Sequence, residues 1–171
     1  MRAAVACLVL ALGCEQPHQE ITWSAKEPFA LLLAGYPYSQ AEARRALAEG
    51  IGQFDGTVAA SGQQITLRYD SACNAKINPE FAAAVSASNR REIVICPKFA
   101  DAIRKFGGDE AKAADAILKH ELGHVFGGIH TATGLMTAVN NGEFRAFQSS
   151  DIASICNQGM IISSRCANGV I

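Results

Sequence analysis

The sequence predicts a single α+β domain behind a secretory leader, on three observations. Apolar residues recur at helical spacing in some segments and alternate with polar ones in others, and the two kinds are mixed along the chain. The length, 171 residues, suits one domain with a real core rather than two. No linker-like stretch marks a boundary after residue 28. Formal net charge is −1 with acids and bases dispersed, so neither a nucleic-acid-binding face nor a polybasic membrane patch is expected. Glycine loops of the phosphate-binding kind and internal repeats are absent.

The leader comes first. "MRAAVACLVLALGC" opens with one Arg, runs uncharged from Ala3 to Gly13 and meets Cys14. A basic start and a short apolar run read as a signal peptide over residues 1–13. The run is too short for a membrane-spanning helix, which needs about 20 apolar residues. "LALGC" resembles a bacterial lipobox, with Ala11 where that pattern has Leu. The resemblance implies lipidation of Cys14 and a membrane-anchored lipoprotein, periplasmic or at the cell surface. Plain secretion is the alternative. Loss of residues 1–13 leaves 14 basic against 16 acidic residues, a net charge of −2.

Residues 14–28 are polar, carry two prolines and read as a tether ending in a short strand, "ITW". His18 belongs to this tether as a solvated side chain. "FALLLAGY" (29–36) reads as a buried strand. Ser39 and Glu42 form a capping box, and Ala43, Ala46, Leu47 and Ile51 repeat at helical spacing over 39–54. "QQITLRYD" (63–70) alternates Ile65, Leu67 and Tyr69 with polar partners, as a half-buried strand does. Residues 71–90 are irregular, with a short strand near 81–87. "REIVIC" (91–96) is a strand that Pro97 stops, and a short helix over 98–106 ends at Gly107 and Gly108.

Asp109 caps the longest helix, "EAKAADAILKHELGHVF", whose buried stripe is Ala113, Ala116, Ile117 and Val125. Loops follow over 131–148. "SSDIASICNQ" (149–158) makes the last helix, capped by Ser149 or Ser150, with Asp151 favourably placed in its first turn.

Cys7 leaves with the leader and Cys14 carries the lipid, so Cys73, Cys96, Cys156 and Cys166 remain. In an oxidising compartment four cysteines form two disulfides, with three possible connectivities. The sequential pairs Cys73–Cys96 and Cys156–Cys166 close the most modest loops, each worth about 3 kcal/mol through the unfolded chain. A four-cysteine zinc site is the weaker reading, because no C-x-x-C pair exists.

"KHELGHVFGGIH" (119–130) holds three of the four histidines. On a helix His120 and His124 project from one face a turn apart, and Glu121 can address a water without ligating the metal. His130 cannot join them on a continuous helix, since ten more residues carry it about 15 Å along the axis. Ligand nitrogens around one zinc lie within roughly 4 Å of each other. The helix must therefore stop at Gly127 and Gly128, where positive φ is tolerated, and double back. Three imidazoles leave a tetrahedral position open, as catalytic zinc requires, although copper or nickel also suits such donors.

The extended pattern H-E-x-x-H-x-x-G-x-x-H, read as His120, Glu121, His124, Gly127 and His130, is followed by "TGLM" with Met136. It resembles the metzincin metallopeptidases, and the short loop to the methionine is most similar to the matrixin-like branch. The resemblance is specific over 120–136 and general over 29–160. It implies a zincin fold in which a small twisted mixed sheet carries an active-site helix, one N-terminal helix and one C-terminal helix. It implies Zn2+ as cofactor, Glu121 as general base, Gly134 and Met136 in a Met-turn flooring the metal, and an extended peptide or protein substrate along an edge strand between Cys73 and Cys96. The chain departs from the family in its five-residue loop from His130 to Met136. It shows no tyrosine soon after that methionine and no propeptide cysteine to block the metal.

The reading is a zinc endopeptidase, secreted or lipid-anchored and monomeric, with residues 29–171 as its catalytic domain. Two alternatives stand beside it: a non-catalytic zinc-binding lipoprotein, and a zinc hydrolase of a non-peptide amide. Glu121 argues against the first, because a purely structural metal site has no use for a carboxylate there.

Overall fold

A computed structural model of the chain describes residues 23–25, 30–33, 36–54, 65–70, 73, 82–86, 91–106, 108–138, 144–158 and 164–167. The leader, Cys7, Cys14 and His18 lie outside the described residues.

β-Branched and aliphatic runs build the sheet. Its strands are β1 (Trp23–Ala25), β4 (Ile65–Tyr69), β5 (Ala83–Val85) and β6 (Glu92–Ile95), in the order β1-β4-β6-β5. β1 and β6 run parallel to β4, and β5 runs antiparallel to β6, so the sheet is mixed and the fold is α+β. Of the expected "ITW" strand, Trp23 opens β1, and Ile21 and Thr22 lie outside the described residues. β6 is buried along its whole length, as a strand flanked on both edges must be. "FALLLAGY" is not one strand. Ala30–Leu33 (β2) pairs antiparallel with Tyr36–Ser39 (β3) in a separate two-stranded sheet. Alternation runs past Gly35 into "YPYS", so the apolar run marks only half of the unit.

The helices follow their caps. α1 (Gln40–Gly52) starts at Ser39, whose side chain and that of Glu42 form the expected capping box. α2 (Phe99–Phe106) follows Pro97. α3 (Glu110–Val125) starts at Asp109, whose carboxylate accepts the Lys112 N–H. Ala113, Ala116, Ile117 and Val125 are buried as expected, but so are Ala114, Leu118 and Leu122. α1, α2, β5 and β6 all pack against α3, so its burial extends well beyond one stripe. α4 (Ser149–Asn157) is capped one residue earlier than either serine predicts. Gln148 is the N-cap, and Asp151 reaches back to its N–H. A short α5 (Ser164–Ala167) was not signalled by any periodicity.

Charge also fixes α3. Asp115, Lys119 and Glu121 are nearly buried, and the first two are paired with the β3–α1 segment. Arg45 Nη2 lies 2.8 Å from Asp115 Oδ2, Tyr38 donates its hydroxyl to Asp115 Oδ1 at 2.7 Å, and Lys119 Nζ lies 2.9 Å from Glu49 Oε2. Buried charges persist only when paired, so this network sets how α1 sits on α3. Lys119, with help from Arg45, holds the Glu49 carboxyl below its ordinary range.

Both sequential disulfides form, Cys73–Cys96 and Cys156–Cys166, which leaves no thiolates for a four-cysteine metal site. They fit an oxidising compartment. No helix among the described residues is long and apolar enough to cross a membrane.

Replacing Cys73 and Cys96 together by serine is expected to lower stability by about 3 kcal/mol, read from urea unfolding. The same change at Cys156 and Cys166, a shorter loop, costs slightly less.

Candidate metal centre

The end of α3 builds the site. Gly128 N–H donates to the Gly123 carbonyl at 2.9 Å and Gly127 N–H to the His124 carbonyl at 3.0 Å. That pair is a Schellman ending, and it requires the left-handed backbone of Gly127, φ 88°. Gly127 is therefore the hinge. Gly128 is not in the left-handed region, and its contribution is a close approach: a Cβ there would sit 2.9 Å from the Gly123 carbonyl oxygen.

The reversal brings His130 back to the helix face. His124 Nε2 lies 3.1 Å from His120 Nε2 and 3.2 Å from His130 Nε2. These contacts are not ordinary hydrogen bonds. His120 Nδ1 faces the Leu135 carbonyl at 2.7 Å and His124 Nδ1 faces the Gly128 carbonyl at 2.8 Å, so each Nδ1 carries the proton. The two Nε2 atoms are then bare lone pairs aimed at each other and at His130. Burial pulls His120 down to about 4 and lowers His124, which keeps a second proton off both rings near neutrality. Lone pairs so crowded call for a cation, and the three histidines can hold a metal ion, with ligand atoms all within 4.8 Å. Three nitrogen donors leave room for a further ligand.

Glu121 stands beside them, only 7% exposed. Burial pushes its carboxyl up to about 8, against a pull downward from the Val85 backbone N–H. A divalent cation on the histidines favours the ionised form. The same face opens into a cavity of about 380 Å³ walled by Ala83, Ala84, Val85, Ala102, Ala116 and Ile117, with Glu121 and the histidines at its polar end.

β5 supplies one lip. Ser86 N–H bonds to Glu92 and Cys96 N–H bonds to Ala82, so residues 82, 84 and 86 face β6. The peptide groups of Ala83 and Val85 turn outward. Among the described residues no strand covers this edge, which lies between Cys73 and Cys96 as expected.

Met136 is fully buried. It rests against Gly123, where any Cβ would run into its Sδ. Gly123 was invisible as a site residue, since the motif leaves its position free. Gly134 has φ 97° and lies against Asp151, whose side chain holds the turn through Met136. Sequence reading credited Asp151 only with the α4 dipole, because its partners are 15 to 20 residues away. His120, His124, His130, Glu121 and Met136 all gather at this end of α3. Comparison with protein-family models, curated proteins and solved structures yields no match.

For the metal-free protein, stability should fall as pH rises from about 7.5 to 8. In that window the unfolded Glu121 is already ionised while most of the folded form keeps its proton, and His120 and His124 are neutral when folded and almost wholly neutral when unfolded. The slope approaches about 1 kcal/mol per pH unit, read as thermal midpoint against pH, and Glu121→Gln removes it.

Proposed function

We propose that the chain is a zinc-dependent endopeptidase of metzincin type, matrixin-like, exported and either secreted or anchored through Cys14. One observation carries the reading: three imidazole lone pairs converge beside a buried carboxylate that is not one of them. A purely structural zinc site is closed by four protein ligands and has no need of such a neighbour.

Zinc bound by His120, His124 and His130 supplies Lewis acidity, which acidifies water to a pKa of about 7 and polarises a carbonyl. The rest is done by the chain. Glu121 takes the proton from the attacking water and returns it to the departing amine, and its burial, which raises its proton affinity, favours that uptake. The outward peptide group of Ala83 and the Val85 carbonyl suit an extended backbone that adds to the sheet, while the Val85 N–H serves Glu121. Met136 forms the apolar floor beneath the histidines. The alanine-walled cavity takes a large apolar side chain next to the scissile bond, because beyond Glu121, the histidines and Thr137 its lining is alanine and branched aliphatic side chains.

Mature protein incubated with an unstructured substrate is expected to cleave it, and to stop when a chelator is added. Glu121→Ala should abolish cleavage while keeping one zinc per chain by elemental analysis. Stoichiometric zinc with no cleavage across a peptide library makes the protein a binding module instead.

Filling the cavity with Ala116→Leu is expected to reduce kcat/KM about tenfold or more for peptides with Leu or Phe at that position, and much less for Ala. Peptide-library profiling of both proteins reads the change.

A further inference from the structure

Asp151 is fully buried, and among the described residues no cation is paired with it. A carboxylate in that position is costly unless its oxygens are saturated with donors. They are. Oδ1 accepts the Met136 N–H at 3.0 Å and lies 2.9 Å from the Thr131 hydroxyl, which shares its one hydrogen between this oxygen and the Thr133 carbonyl at 2.7 Å. Oδ2 accepts the Leu135 N–H at 2.8 Å and the Gln148 N–H at 2.7 Å. Only the last of these belongs to α4. The other three join α4 to the loop that follows His130 and lies against His120.

Leu135 and Thr131 each reach a histidine in one step, and Met136 reaches His130 through Thr131. Leu135, held by its N–H, presents its carbonyl to His120 Nδ1 at 2.7 Å. Thr131 directly follows His130, and its N–H returns to the Met136 carbonyl at 3.0 Å, closing the loop on itself. Gly134 makes the approach possible: a Cβ there would lie 2.5 Å from Oδ2 and 2.6 Å from Oδ1. His124 is served separately, by the Gly128 carbonyl.

We infer that Asp151 is a positioning residue for the metal centre, clamping the 131–136 loop so that His120 and His130 hold their place opposite His124. The inference rests on the histidines binding a metal and not on what the site hydrolyses. A helix-capping role alone uses one of the four bonds and predicts lower stability with metal affinity untouched. The clamp predicts the reverse weighting. Asp151→Asn turns an amide N–H2 toward donors that need an acceptor, so the loop loses its fixed register while the volume stays the same.

The test uses the full-length protein with zinc alone, measuring affinity by competition with a chromophoric chelator and thermal stability of the metal-free form. Asp151→Asn is expected to bind zinc about 10- to 100-fold more weakly, the range for outer partners of metal-ligating histidines. Thr131→Val, which leaves the carboxylate and its three backbone donors intact, shifts affinity the same way but less, with the metal-free midpoint little changed. If Asp151→Asn does not fold, Thr131→Val decides. Wild-type affinity in the folded variants, with only the midpoint lowered, overturns the clamp. Wild-type protein that takes up no zinc overturns the metal centre itself.

Discussion

Everything at this site depends on the place where α3 stops. Two imidazoles on one helical face come from the four-residue spacing alone, but a third can reach them only if the chain reverses within the next turn. Gly127 makes the reversal with a left-handed backbone, and the Gly128 and Gly127 amides satisfy the carbonyls that the ending exposes. The reversal then delivers three lone pairs to one point. Everything downstream, from the loop to Met136 through α4, secures that geometry.

The buried acids on α3 and α4 divide the work according to what surrounds them. Asp115 is answered by a guanidinium and a phenol, and it locks the helix to α1. Asp151 is answered by amide and hydroxyl donors, and it holds a loop. Glu121 has a single backbone donor beside it, so burial dominates and its proton affinity rises. The carboxyl group with the least compensation is the one at the cleft. That contrast supports the proposed general-base role for Glu121, while the other two acids hold structure.

Local signals were legible and long-range ones were not. Ser39 with Glu42, and Asp109, announced α1 and α3 because a cap is a contact between residues a turn apart. The histidine spacing and Gly127 announced the metal centre for the same reason. The Cys73–Cys96 and Cys156–Cys166 pairing followed from loop size. Gln148 was missed as a cap because glutamine has little preference there, and adjacent serines suggested a later start. The second half of the β2–β3 pair was hidden by Pro37, a poor strand former. Asp151, Gly123 and the Lys119–Glu49 pair could not be read at all. Each owes its role to a partner that only the fold brings near, and a dipole-compatible Asp or a motif-neutral Gly looks ordinary in one dimension.

The residue that braces the loop is supplied late, by α4. All three histidines and Glu121 precede residue 151 in the chain, so the loop beside them gains its brace only when α4 folds against it. Until α4 docks, His130 is followed by an unbraced loop and the three imidazoles make a poor trap for ions. Metal binding is thus tied to the docking of α4, and a product truncated before α4 keeps the recognisable signature without the brace that steadies it.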